Sequence, residues 1–117
     1  MADSVAARRK AIPLSIALRV LDAASDVRLS AIAIRTLAHL ARHADENGNV
    51  GSDEHGRPLA NPMNVAPAVE IGNSTAYKAF SLLESCGYLR WERDQGAKRS
   101  DIKPGRLRIV LPEHADA

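Results

Sequence analysis

From Pro13 to Ala24 the sequence PLSIALRVLDAA places Leu14, Leu18 and Leu21 on one helical stripe and Ile16 and Val20 on another. The spacing predicts a short helix with two apolar faces, and a brief strand over 12–18 fits the same letters. The clearest helix lies in DVRLSAIAIRTLAHLARHADENG. Ser30 supplies a capping hydroxyl, Ile34, Leu37, Ala38, Ala41 and Ala44 recur at helical spacing, and Arg35, His39 and Arg42 fall on other faces. Asn47-Gly48, a pair that tolerates left-handed backbone, ends it, and NVG predicts a short strand.

Residues 51–60, GSDEHGRPLA, predict a polar loop in which Pro58 opposes a helix. Asn61-Pro62 is a helix start, a capping residue followed by proline at the first helical position. MNVAPAVEIG continues it for about two turns, with Pro67 limiting its regularity and Gly72 breaking it. Asn73 to Cys86 predicts the next helix, closed by Gly87. YLRWER and RLRIVLP then alternate apolar and polar residues around DQGAKRSDIKPG, the pattern of an antiparallel hairpin with a basic tip.

At 117 residues the chain predicts one domain, residues 12–112, between a flexible basic arm at 1–11 and a flexible tail at 113–117. Aromatic residues are scarce (Phe80, Trp91, Tyr77 and Tyr88), so the core is built from Ala, Leu, Ile and Val, which favours helices over a β-sandwich. The expected class is mainly α with a small antiparallel β-hairpin. A single cysteine, Cys86, makes no intramolecular disulfide and fits a packing role on an apolar face. ARRKAIPLSIALRVL has the outline of a signal peptide, but Arg19 interrupts its apolar run and no cleavage pattern follows, so a cytoplasmic protein is expected.

The net charge of +2 is ordinary, whereas its distribution is uneven. Arg90, Arg93, Lys98, Arg99, Lys103, Arg106 and Arg108 are opposed only by Glu92, Asp94 and Asp101. Arg8-Arg9-Lys10 form a second basic cluster, and acids dominate the middle at Asp45, Glu46, Asp53 and Glu54. Such asymmetry points to a polyanionic partner.

The stretch NSTAYKAFSLLESCGYL, residues 73–89, carries the functional reading. On a helical wheel Ala76, Ala79, Phe80, Leu83 and Cys86 share one face, and Ser74, Tyr77, Lys78 and Ser81 lie on the other, with no carboxylate before Glu84. Hydroxyls and a lysine on such a face suit phosphates and base edges. The predicted order, helix, short strand, helix, tight turn, helix, hairpin, is that of the winged helix-turn-helix. STAYKAFSLLESCGYL resembles the recognition helix and first wing strand of bacterial winged-helix regulators, which commonly read Ser-Thr-Val-Tyr, a basic residue, Leu-Glu and Gly-Tyr-Leu. Ser74-Thr75-Ala76-Tyr77-Lys78, Leu83-Glu84 and Gly87-Tyr88-Leu89 occupy the matching places. LAHLARHADENGNV is similar to the first helix of a subgroup found in plasmid, phage and chromosomal regulators and replication proteins. The resemblance spans roughly residues 29–111 and implies a winged helix-turn-helix with an extra N-terminal helix.

Two departures stand out. The family commonly has Leu-Gly-Val-Ser in the turn before the recognition helix, where this chain reads Val69-Glu70-Ile71-Gly72. With glutamate in the glycine position, the expected pivot moves to Gly72. The loop GSDEHGRPLANPM is also longer than usual and lacks the family's Pro-Ser before the second helix.

The resemblance implies that residues 73–86 read the major groove through Asn73, Ser74, Thr75, Tyr77, Lys78 and Ser81, while a wing over 94–105 clamps the backbone with Lys98, Arg99 and Lys103, flanked by Arg93 and Arg106. The expected protein is a sequence-specific double-stranded DNA-binding transcriptional regulator acting by occupancy. Its second apolar stripe over 13–24 has no evident partner within so small a chain, which predicts a homodimer. The alternatives are a plasmid or phage replication or partition factor, and a protein-interaction module whose basic wing holds an acidic protein partner. No catalytic constellation can be placed, and no enzyme, cofactor or membrane role is expected. His39 and His43, four apart, lack a third metal ligand and read as a solvated helix face. Asp45, Asn47, Asn49 and Asp53 imitate calcium-loop spacing, but Val50 and Gly56 stand where the glycine and closing glutamate belong, so a turn is expected and no metal.

Overall fold

The structure, a computed structural model, describes residues 11–92 and 106–111. The basic arm, the 113–117 tail and the hairpin tip with Arg93, Lys98, Arg99 and Lys103 lie outside the described residues, Ala11 apart.

The 13–24 segment is helical, not a strand: α1 spans Leu14–Ala24. Its two stripes have different fates. Ile16 and Ala23 are buried and Val20 packs on the core, whereas Leu14, Leu18 and Leu21 face outward.

The next helix, α2, spans Ala31–Ala41, and the Ser30 hydroxyl accepts the Ala33 N–H at 3.2 Å, the cap that the sequence predicts. Ala33, Leu37, Leu40 and Ala41 form its buried stripe, together with Thr36, whose hydroxyl donates to the Ile32 carbonyl at 2.8 Å. Ile34 and Ala38 sit half-buried at its edge. The helix stops about a turn before Asn47-Gly48. The N–H groups of Arg42, His43 and Ala44 reach back only three residues, and Ala44 bridges to Val50. Asp45 is the cause: its carboxylate accepts the N–H groups of Asn47 and Asn49 at 2.9 and 3.0 Å, a local bonding pattern that competes with helix. The carboxylate of the calcium-like spacing is thus consumed by its own turn.

Strand β1, Asn49–Val50, follows directly, and the loop after it returns through buried Leu59. Helix α3 spans Pro62–Val65, with Asn61 Oδ1 accepting the Met63 N–H at 3.0 Å. It makes one turn where the sequence predicts two. Beyond it the Glu70 N–H donates to the Pro67 carbonyl at 3.3 Å and the Ile71 N–H to the Ala66 carbonyl at 3.0 Å, the bond pair of a Schellman ending. That motif needs a left-handed residue in its fifth place, and Glu70 supplies it with φ +58°. The pivot is therefore Glu70, and the expectation of Gly72 is corrected: Gly72 has φ −74° with open space where a side chain would stand.

A non-glycine residue held left-handed costs about 1–2 kcal/mol. Glu70→Gly is expected to raise stability by about 1 kcal/mol, since glycine also loses more freedom on folding. Urea denaturation with an unchanged m-value checks this, and Gly72→Ala serves as a near-neutral control.

Helix α4 spans Asn73–Ser85 and ends in the same motif with the predicted glycine in place. Gly87 has φ +86°, and Tyr88 N–H donates to the Leu83 carbonyl at 2.8 Å. Strands β2, Leu89–Glu92, and β3, Arg106–Ile109, pair antiparallel as predicted, Leu89 opposite Ile109 and Trp91 opposite Leu107. β1 pairs with the other edge of β3, so the hairpin grows into a three-stranded antiparallel sheet in the order β1-β3-β2. Leu89, Leu107 and Ile109 turn into the core formed with Leu37, Leu40, Leu59, Val65, Phe80 and Leu83. The described residues thus form four helices and one small sheet. None of these helices is long and apolar enough to cross a membrane.

Candidate functional site

Helix α4 is fixed by its apolar face. Ala76, Ala79, Phe80 and Leu83 are buried, and the Phe80 ring lies 6.1 Å from the Trp91 ring. Arg35 of α2 donates to the Val69 carbonyl at 2.8 Å, tying the preceding turn to the helix on which α4 packs. The opposite face carries Asn73, Ser74, Tyr77, Lys78 and Ser81, all exposed, with Thr75 half-buried at its edge. The sequence-predicted residues of this helix therefore lie on one outward surface. Cys86, expected on the apolar face, is the half-buried capping residue and packs against the core.

Two features leave the N-terminal end of that helix open to an anion. The first turn of α4 contains no acidic residue, and Gly72 offers no side chain to cap it. The leading N–H groups, which carry the positive end of the helix dipole, have no side-chain acceptor among the described residues. Glu84 comes only in the last turn.

The sheet adds cations on its outer side. Arg90 stands opposite Arg108, and Arg106 opposite Glu92, all on the face away from the core residues. Arg108 is engaged with the Asn47 carbonyl at 3.0 Å and Glu92 at 3.5 Å. Arg106, predicted as a flank of the wing, is exposed at the start of β3.

The junction between α4 and β2 is held by residues to which the sequence reading gave no role. Arg19 of α1 donates from Nε to the Val110 carbonyl at 2.9 Å and from Nη2 to the Gly87 carbonyl at 2.8 Å, while its guanidinium lies 4.0 Å above the Tyr88 ring. The Tyr88 hydroxyl donates to Asp26 at 2.8 Å, and Arg28 forks onto the same carboxylate. These bonds from Arg28, with that from Tyr88, hold the Asp26 carboxyl well below the usual carboxylate range. Burial, reinforced by Asp26, pushes the Tyr88 phenol up. The signal for Arg19 was visible as the lone cation within an apolar helix; its partners sit 68 and 91 residues away and were not.

The histidine pair differs from expectation. His39 and His43 are half-buried, with rings 5.2 Å apart, rather than a solvated face. His39 Nε2 is buried without a hydrogen-bond partner among the described residues. Burial, with the nearby His43 and Arg42, lowers its pKa. It borders a cleft of about 220 Å³ shared with Asp53, Glu54, Arg57 and Asn64. Asp53 is turned inward on its own loop, accepting from the Arg57 backbone at 2.9 Å and side chain at 3.0 Å. Among the described residues no group of three or more His, Cys, Asp or Glu side chains is arranged to hold a metal ion.

No protein-family model matches the chain, and no curated protein or solved structure matches it.

Proposed function

We propose that this chain is a sequence-specific double-stranded DNA-binding protein of the winged helix-turn-helix type, a transcriptional regulator acting by site occupancy. One observation carries the reading: the outward face of α4 displays Asn73, Ser74, Tyr77, Lys78 and Ser81 with no carboxylate before the last turn. A helix exposed only to water more often mixes acids and bases, whereas a surface meant for phosphates excludes acids. The order of elements supports it. Helix α2, strand β1, helix α3, a tight turn, helix α4 and the β2–β3 pair follow one another as in that fold, with β3 central in the sheet. The connection between β2 and β3, residues 93–105, adds Arg93, Lys98, Arg99 and Lys103 by sequence.

In this mechanism α4 enters the major groove, where Lys78 reaches guanine or phosphate and the hydroxyls of Ser74, Tyr77 and Ser81 bond phosphates or base edges. The uncapped N-terminus of α4 meets a phosphate with its free N–H groups. The wing that the sequence predicts over 94–105 lies along the backbone.

Titrating full-length protein with a mixed-sequence duplex at several salt concentrations tests the proposal. Affinity is expected to fall steeply with salt, and Lys98→Ala/Arg99→Ala to flatten the logarithmic slope by about two. Lys78→Ala is expected to weaken binding about tenfold, a loss near the low end for a base or phosphate contact. No duplex affinity at low salt would sink the reading. Equal affinity for an acidic polypeptide would transfer the basic wing to a protein partner.

A further inference from the structure

We propose that the Leu14, Leu18 and Leu21 stripe of α1 is the surface on which a second copy of this chain docks, helix against helix. These side chains belong to a well-packed helix, since Ile16 and Ala23 on its opposite face are fully buried, yet they remain 75%, 52% and 62% exposed. A burial of three leucines is worth several kcal/mol, at about 1.5–3 kcal/mol each, and solvent exposure forfeits most of it.

The spacing points to another helix as the cover. Steps of four and then three residues are those of the d, a and d positions of a two-helix seam. The stripe is also close to symmetric about Leu18. An antiparallel second copy brings Leu14 opposite Leu21 of the partner subunit and Leu18 beside Leu18 of the partner subunit. A two-fold interface requires this self-complementarity.

Charge does not oppose the same occupant. The charged residues of α1 are Arg19 and Asp22. Arg19 is turned inward onto Gly87 and Val110 and is only 15% exposed, and its guanidinium lies 3.6 Å from Asp22 at the flank. An apolar, nearly uncharged strip offers no handle to an acidic or basic partner and does not repel its own copy. The remaining segments of this sequence contribute Met1, Val5 and Ile102 as their large apolar residues, too few to cover three leucines. The three leucines expose on the order of 350 Å², a little under half of what each partner brings to a standard interface. The small residues beside it, Ser15, Ala17 and Ala24, form the rim. A modest, reversible dimer follows, and it does not depend on the DNA-binding reading.

Sedimentation velocity on the full chain without nucleic acid, from roughly 1 to 200 μM, tests this for a dissociation constant in the micromolar range. The expected mass rises with concentration from 12.6 kDa toward twice that value. Leu18→Glu is expected to stay monomeric throughout with an unchanged far-ultraviolet circular dichroism spectrum. Should the glutamate perturb folding, Leu14→Ser/Leu21→Ser gives the same readout through a milder change. A wild-type monomer at every concentration overturns the proposal and leaves the stripe to a different chain. A dimer whose dissociation constant moves less than about threefold, below 1 kcal/mol, in a folded variant also overturns it.

Discussion

Gly48→Ala is expected to remove about 3 kcal/mol of stability, more than the same change at any other glycine among the described residues. A Cβ at residue 48 would stand 2.2 Å from the carbonyl oxygen of Ile109, and the backbone there has φ +87°. Both atoms in the clash are anchored to main chain, so neither swings aside. The left-handed conformation alone costs about 1–2 kcal/mol with a side chain present. Relieving the clash also breaks the 2.7 Å bond from the Ile109 N–H to the Gly48 carbonyl, worth about 1 kcal/mol, and loosens the adjoining β1–β3 pair. For a chain of 117 residues each kcal/mol is about 4 °C in Tm, so thermal melting should fall by on the order of 12 °C. Gly56→Ala separates the two causes. Its φ is +78° but nothing lies within 4 Å of the added carbon, so it should lose only the conformational share.

Arg19→Ala is expected to cost about 2–3 kcal/mol, read as a lower urea midpoint. The guanidinium satisfies the carbonyls of Gly87 and Val110 at once and stacks on Tyr88. Hydrogen bonds from a charged donor are worth about 1.5–3 kcal/mol, and a cation over an aromatic face adds about 0.5–1 kcal/mol. Arg19→Lys keeps the charge but loses the planar fork, and is expected to recover less than half of the loss. An unchanged midpoint in Arg19→Ala would mean that α1 is held by its apolar face alone. The variant also bears on α4, because Gly87 is the residue on which that helix turns into β2.

Much of the fold was legible because its determinants are local. Ser30, Asn61 and Gly87 act in the places their chemistry predicts, and the alternation of Leu89 to Glu92 and Arg106 to Ile109 gives the strands and their inward faces. The outward face of α4 was equally legible, since helical period alone separates Ala76, Ala79, Phe80 and Leu83 from Ser74, Tyr77, Lys78 and Ser81. What escaped depends on competition or on distance. The end of α2 was misplaced because helical period continues to Ala44, while Asp45 captures the backbone before the last turn can form. The pivot was misplaced because glycine is the usual left-handed residue, and here two backbone bonds compel Glu70 to take that role. The burial of His39 and the grip of Arg19 arise from elements far apart in sequence, which periodicity does not register.

The central place of β3 has a consequence for how the chain reaches this state. Both other strands pair only with β3, and Gly48 and Arg19 close onto its end at Ile109 and Val110. During synthesis, α1 to α4 leave the ribosome with the middle of their sheet still missing. The sheet closes only once residues 106–110 are available, because β3 must find β1 across about 60 residues of sequence. A chain cut short before β3 would therefore lose its whole sheet at one stroke and be expected to aggregate rather than linger as a smaller domain.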